Sequence, residues 1–231
     1  VWLVGRCVSG WHAGIFDASN TMSVHIVSAA GALAATSITG PRLGKYYHTG
    51  ESIALPGHNL PLTGLGLLLV WAGWMAFVTT SLDMEPIKLV RSVLNLQVAA
   101  GGGAIAALVL TKSRFGKLDA TLVFNGVVAG LVAGGPLCHR IPLLPALSIG
   151  ILSGILVLRL SLWLDAHHVD DPAGIVATMG GAGIIGIVLA SLFDLITGNP
   201  EHSLWRLILA IMAAAIGFSC AWIAALFARR R

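Results

Sequence analysis

The sequence predicts an all-α fold, a polytopic membrane helical bundle of about seven spans. Three observations predict it. Of 231 residues, 56% are hydrophobic and 10% are charged, with a mean hydropathy of +0.87, against about 25% charged residues in soluble domains. The apolar residues gather in runs of roughly twenty, the length a helix needs to cross a bilayer. Barrel strands would be short and alternating. Glycine is abundant, at 28 residues, which suits helices that must approach closely where lipid supplies no hydrophobic drive between them.

The seven spans follow in order. The first, 16–40, carries Asp17 near its start and is otherwise uncharged apart from His25. It stops at the Gly/Pro-rich "GPRLGKYYHTGE". The second, 61–82, follows "GHNLP", where His58 sits at a loop edge and suits a capping or interface role. The third, 90–111, runs between "DMEPIK" and "TKSRFGK". The fourth, 118–136, ends before "CHRIP", and the fifth, 142–164, begins at Pro142. The sixth, 172–196, follows "DAHHVDD", and the seventh, 204–228, follows "TGNPEH". Gly and Pro mark each boundary because neither continues a helix well. One membrane domain, 1–231, covers the chain. It opens at Val1 without an n-region or cleavage site, so no signal peptide is expected and the true start is expected to lie upstream.

Orientation follows from Lys and Arg. One side collects nine: Arg42, Lys45, Lys112, Arg114, Lys117, Arg159 and Arg229 to Arg231. The other collects five: Arg6, Lys88, Arg91, Arg140 and Arg206. The nine-residue side is expected to be cytoplasmic, with the N-terminus outside and the C-terminus inside. The net charge of +4 is scattered through short loops, which excludes a nucleic-acid surface.

Asp17 precedes His25 by eight residues in the first span. Asp171 precedes Met179 by eight in the sixth, which enters from the opposite face. Each places a distinctive residue about 12 Å deep at 1.5 Å per residue. An inverted repeat with a site near the midplane produces this pattern.

A histidine at that depth is costly and faces a bundle interior or cavity. It can bond a neutral polar guest through one ring nitrogen and relay a proton through the other. It can equally be a structural histidine bonded to a neighbouring helix, and the residues alone leave both readings open. Asp17 is placed to cap orphan N–H groups and meet the positive end of the helix dipole. It could also draw a cation to the mouth. In "VWAGWMAFVTTS", Trp74, Phe77 and Ser81 share a face at steps of three and four. Aromatic faces attract cations and a Ser hydroxyl accepts from them, although an interfacial aromatic belt fits the same residues.

Other features read as structural. "DAHHVDD" gathers two His and three Asp but lacks a fixed helical ligand geometry, so no metal is expected. "GGAGIIG" within an apolar span reads as close helix packing, not a phosphate loop. Cys7, Cys138 and Cys220 sit far apart and behave as small apolar residues. No Ser/His/Asp order, paired carboxylates or HExxH stands out, so neither an enzyme nor a cofactor is expected.

With these residues assembled, the chain resembles the ammonium transporter family (Amt/Mep/Rh). "FDASNTMSVHIVSAAGALAA" is similar to the family's fifth-helix motif D-F-A-G-x-x-V-H. "GHNLPLTGLGLLLVWAGWMAF" is similar to its sixth-helix P-H-N-L-P…G-W-F-G-F-N. "FNGVVAGLVAGGP" resembles N-G-x-L-A-G-L-V-x-x-T-P, and "DDPAGIVATMGGAGIIG" resembles the tenth-helix D-D-x-x-D-x-x-x-V-H-G-x-G-G. The resemblance implies the fifth to eleventh helices of an eleven-helix inverted-repeat fold, with the first four missing.

It also implies ammonium or ammonia transport through a hydrophobic pore lined by paired histidines. His25 matches the first of them. Trp74 matches a pore-lining tryptophan, Phe77 the outer gate, Ser81 the hydroxyl of the outer ammonium site, and Asp17 the structural acid nearby. Met179 falls on the second histidine, and a thioether has no N–H to relay. "DASN" stands for D-F-A-G, and Val78 for the Asn after the gate phenylalanine. The family implies a homotrimer in a bacterial inner (plasma) membrane and a PII-type signalling partner. The ending "ARRR" lacks the long tail that PII regulation would use. Met179 also opens an alternative, a diverged ammonium-sensing membrane domain that binds without conducting.

Overall fold

A computed structural model describes residues 17, 19–55, 57–80 and 85–229, with side chains as far as Phe227. Seven helices long and apolar enough to cross a membrane lie among them. They are α1 (Thr21–Thr39), α2 (Leu60–Thr79), α3 (Pro86–Phe115), α4 (Ala120–Leu137), α5 (Leu143–Ala166), α6 (Val176–Ile196) and α7 (Pro200–Phe227). All seven expected spans are present, and their edges moved for local reasons. Pro86 at the first turn and Gly116 at φ 69 frame a 30-residue α3. At about 45 Å it is longer than a bilayer core of about 30 Å, so Lys88, Lys112 and Arg114 ride on helix ends and not in loops. α6 begins at Val176 and not at Pro172, because Gly174 turns the chain at φ 65 before the first helical turn.

The starts are capped as the composition suggests. Asn59 accepts the Leu62 N–H at 2.9 Å, so Asn59 caps α2 and His58 lies exposed beside it. Asp119 accepts the Leu122 N–H at 3.1 Å and caps α4. α1 ends at Gly40, whose φ of 76 a side chain would resist.

The centre of the bundle is α3, α4 and α5. α4 buries 61% of its span, whereas α2 buries 11% and α7 17%. Small residues set the spacing. A Cβ on Gly130 would stand 2.1 Å from the Ala99 carbonyl oxygen, and one on Gly150 would meet the same oxygen at 2.1 Å. The three backbones therefore touch through Ala99. Buried Asn95 locks this core by donating to the Cys138 and Ile141 carbonyls, both at 2.7 Å. The glycine run of α6 packs as expected: Gly183 faces Ile26 and Gly186 faces the Ala133 backbone.

Ion pairs sort the charged residues to two ends. Arg42 meets Asp170 at 2.7 Å and Lys45 meets Asp165 at 2.9 Å. At the far end of α6, Asp194 takes Arg140 at 2.6 Å and Arg206 at 2.8 Å. The "DAHHVDD" residues are each engaged in packing. The ring of His167 lies on Trp163, His168 stacks on Tyr46 at 4.6 Å, and Asp171 accepts the Ala177 N–H at 3.0 Å. Among the described residues, no cluster of His, Cys, Asp or Glu has metal-holding geometry.

Candidate functional site

Both Asp-led helices open on a π turn. In α1 it spans Thr21–Ile26 and contains His25; in α6 it spans Val176–Gly181 and contains Met179. Such turns are rare and concentrate at functional sites. Each is fastened by its aspartate. Asp17 Oδ2 accepts the Met22 N–H at 3.0 Å, five residues on. Asp171 Oδ2 accepts the Ala177 N–H at 3.0 Å, six residues on. A turn closed by i→i+5 bonds holds an extra residue, which steps the following face by about 100°. The two π turns touch one another; the first also packs on α6 and α7, and the second on α4, α5 and the rest of α1. The matched Asp spacing thus corresponds to matched backbone, one helix from each end of the bundle.

Around Asp17 the sequence "DASN" supplies a polar knot. Ser19 Oγ donates to Asp17 Oδ1 at 3.3 Å and shares a short hydrogen bond with Thr21 Oγ1. Ser19 and Thr21 are fully buried. Burial pushes the Asp17 carboxyl pKa upward, while the Met22 N–H and the Arg206 charge oppose the rise. Asn20 adopts φ 49, a left-handed conformation that Asn tolerates better than most residues.

His25 is 3% exposed, and neither ring nitrogen has a hydrogen-bond partner among the described residues. The Ser19 backbone lies near the ring without hydrogen-bond geometry. Among the described residues, no neighbouring helix supplies the hydrogen bond that the structural reading requires. The ring instead stacks on Trp74, centroids 4.9 Å apart and planes within 8°. Trp74 is 7% exposed, and its indole N–H also lacks a partner among the described residues. Phe77 follows edge-on to Trp74 at 6.4 Å. Trp74 and Phe77 thus extend the histidine's aromatic column along α2. Ser81 lies outside the described residues.

Met179 is half-buried and packs against the central apolar cluster. It brings no donor to the facing turn. Trp71 turns aside and donates to Gln97 of α3. The sequence reading missed the Asp194 cluster, where a 1%-exposed carboxylate binds two arginines. Its signal was a lone acid near the end of an apolar span, which is functional or paired by default.

Fold and site together define a polytopic α-helical membrane protein with a buried histidine whose ring nitrogens have no hydrogen-bond partner among the described residues. A sequence model described as Ammonium Transporter Family matches residues 1–230, and the chain belongs to that family. It is 31% identical to ammonium transporter Amt2 of Archaeoglobus fulgidus, over 91% of this chain and 49% of that protein. It is 30% identical to ammonium transporter Amt1 of Haloferax mediterranei, over 90% of this chain and 44% of that protein. The chain thus spans about half the length of the curated relatives it matches. Among solved structures, a Sensor Amt Protein superposes with a TM-score of 0.84 at 25% identity, covering 97% of this chain and 57% of the other. Candida albicans Mep2 gives a TM-score of 0.80 at 20% identity, covering 97% and 52%.

Proposed function

We propose that the full protein moves ammonium or ammonia across a membrane through a hydrophobic path lined by His25. The observation that carries this reading is a buried imidazole, stacked on Trp74 and held in a π turn, whose nitrogens have no hydrogen-bond partner among the described residues. A buried polar group without a partner costs about 1–3 kcal/mol, and an arriving small polar guest removes that cost. Trp74 and Phe77 attract a cation at the entrance, Ser81 adds an acceptor there, and Asp17 fixes the turn. The relatives' names as ammonium transporters support the substrate. The protein on this reading is a transporter and not an enzyme. Residues 1–231 form one membrane domain, the later part of an eleven-helix fold. The family resemblance implies a homotrimer in a bacterial inner membrane, and the Lys and Arg distribution puts the Asp17 end outside and the Arg42 end in the cytoplasm. A PII-type partner gains no support from the residues described.

The test is methylammonium uptake by cells expressing the full-length gene product that carries this chain. Uptake is expected, with loss on His25→Ala and a marked drop on Phe77→Ala. A well-folded full-length protein that gives no uptake sinks the transport reading.

Met179 favours a second reading, an ammonium-sensing domain that binds without conducting, and the likeness to a Sensor Amt Protein supports it. Binding without flux is its signature. Met179→His then decides between the two. Raised flux shows that a pore exists and lacked its relay. Unchanged flux with intact binding supports the sensor.

A further inference from the structure

We propose that Arg206, clamped by Asp194, which Arg140 also holds, is a positioning residue that secures the Asp17 cap and, through it, the π turn presenting His25. The inference rests on the pore reading and names a residue the reading above does not use. Arg206 is 2% exposed and Asp194 1%. Asp194 Oδ1 accepts from Arg140 Nη1 at 2.6 Å, and Oδ2 accepts from Arg206 Nη2 at 2.8 Å and Nε at 3.3 Å. The two arginines and the acid come from three places: the α4–α5 corner, the end of α6 and the start of α7. Buried ion pairs add little net stability over apolar packing, so stability alone is a weak reason for this cluster.

Its position supplies a better one. Arg206, Leu209, Ala213 and Gly217 recur at steps of three and four, so they share one face of α7. Leu209 and Ala213 pack in one cluster with Met22, Ile26 and Val27 of α1. A Cβ on Gly217 would stand 2.6 Å from the Val27 carbonyl. That face therefore lies along the π turn, and Arg206 sits at its beginning, where Asp17 accepts the Met22 N–H. The Arg206 charge favours the ionised Asp17 carboxylate against the burial that disfavours it. From the α4–α5 corner, the Cys138 thiol is another titratable group that senses Asp17. Asp17, Asp194, Arg140 and Arg206 sum to zero charge. Removing Arg206 leaves two acids with one cation, which favours a protonated Asp17. A protonated carboxyl accepts less strongly from the Met22 N–H, and the turn that sets His25 against Trp74 loosens.

The experiment is a double-mutant cycle of Arg206→Gln and Asp17→Asn in the full-length gene product, with Arg206→Lys as the conservative variant. Two signals are read: methylammonium uptake per folded protein, and the infrared carbonyl band of protonated Asp17, identified by its absence from D17N. In the unmodified background R206Q is expected to lower uptake by about tenfold, the scale of coupling between residues in one network. In the D17N background it should cost far less, and R206K should restore most of the uptake. The Asp17 band should persist to higher pH in R206Q, and in R206K by less. Additive effects on uptake with an unmoved band overturn the proposal. If the unmodified protein shows no uptake, the pore reading fails, and the infrared titration still decides whether Arg206 governs Asp17. Should R206Q not fold, the smaller band shift in R206K decides it; no shift there overturns the proposal.

Discussion

His25 shares its burial with a tryptophan face and with no hydrogen-bond partner among the described residues. Stacked aromatic pairs contribute about 0.5–1.5 kcal/mol beyond their buried area, so Trp74 fixes the ring plane without taking up either nitrogen. Trp74→Leu keeps an apolar side chain but removes the stack. It is expected to leave folding intact and lower methylammonium uptake, and uptake equal to the unmodified protein would count against the stack. A second residue-scale effect concerns His139 at the α4–α5 corner. Burial, then the charges of Arg140, Lys88 and Arg206, push its pKa from the ordinary 6.5 down to about 4. The unfolded chain therefore binds a proton between those values and the folded chain does not. Stability is expected to fall as pH drops from 6.5 toward about 4, and to be unaffected by this group above 6.5. Thermal unfolding against pH should show the slope, and His139→Gln should flatten it.

At the scale of the element, glycine decides how closely α3, α4 and α5 meet. A methyl at Gly130 has no room beside the Ala99 carbonyl. Overpacking of this kind costs about 1–3 kcal/mol or more. Gly130→Ala should lower the unfolding temperature clearly, whereas Gly101→Ala, which meets nothing within 4 Å, should change it little. The span limits were legible because Pro, Gly, Asn and Asp act on their own neighbours. The π turns were not. "TMSVHI" and "VATMGG" carry no local signature for an i→i+5 turn, which here coincides with an aspartate four or five residues before the turn and with two facing helices.

Across the whole molecule, α1 and the α5–α6 corner are joined by residues 128 positions apart in sequence. Arg42 donates to Asp170 through its guanidinium at 2.7 and 2.9 Å and through its backbone N–H at 2.9 Å. Lys45 on Asp165 and Tyr46 on His168 continue the seam. The Arg42 hydrogen bonds hold the Asp170 carboxyl below its ordinary 3.8. The stability this gives is present above 3.8 and is lost as pH falls through the lowered value. Asp170→Asn should therefore free the segment 41–55 and make it cleave several-fold faster under limited proteolysis. An unchanged cleavage rate would show that the pair does not hold the segment.

By itself the sequence determined the class of fold, the seven spans, the Asp-to-His and Asp-to-Met spacing and the family. Each rests on composition or on contacts within a few residues, which the chain specifies locally. Only the tertiary structure decided that Trp74 covers His25, that no described residue bonds its ring, and that Asp194 gathers Arg140 and Arg206. Those outcomes depend on which side chains meet across 12 to 54 positions of chain. In a bundle where most faces are equally apolar, close approach at Ala99 and Gly217 and the satisfaction of buried charge choose the partners, and hydropathy alone cannot.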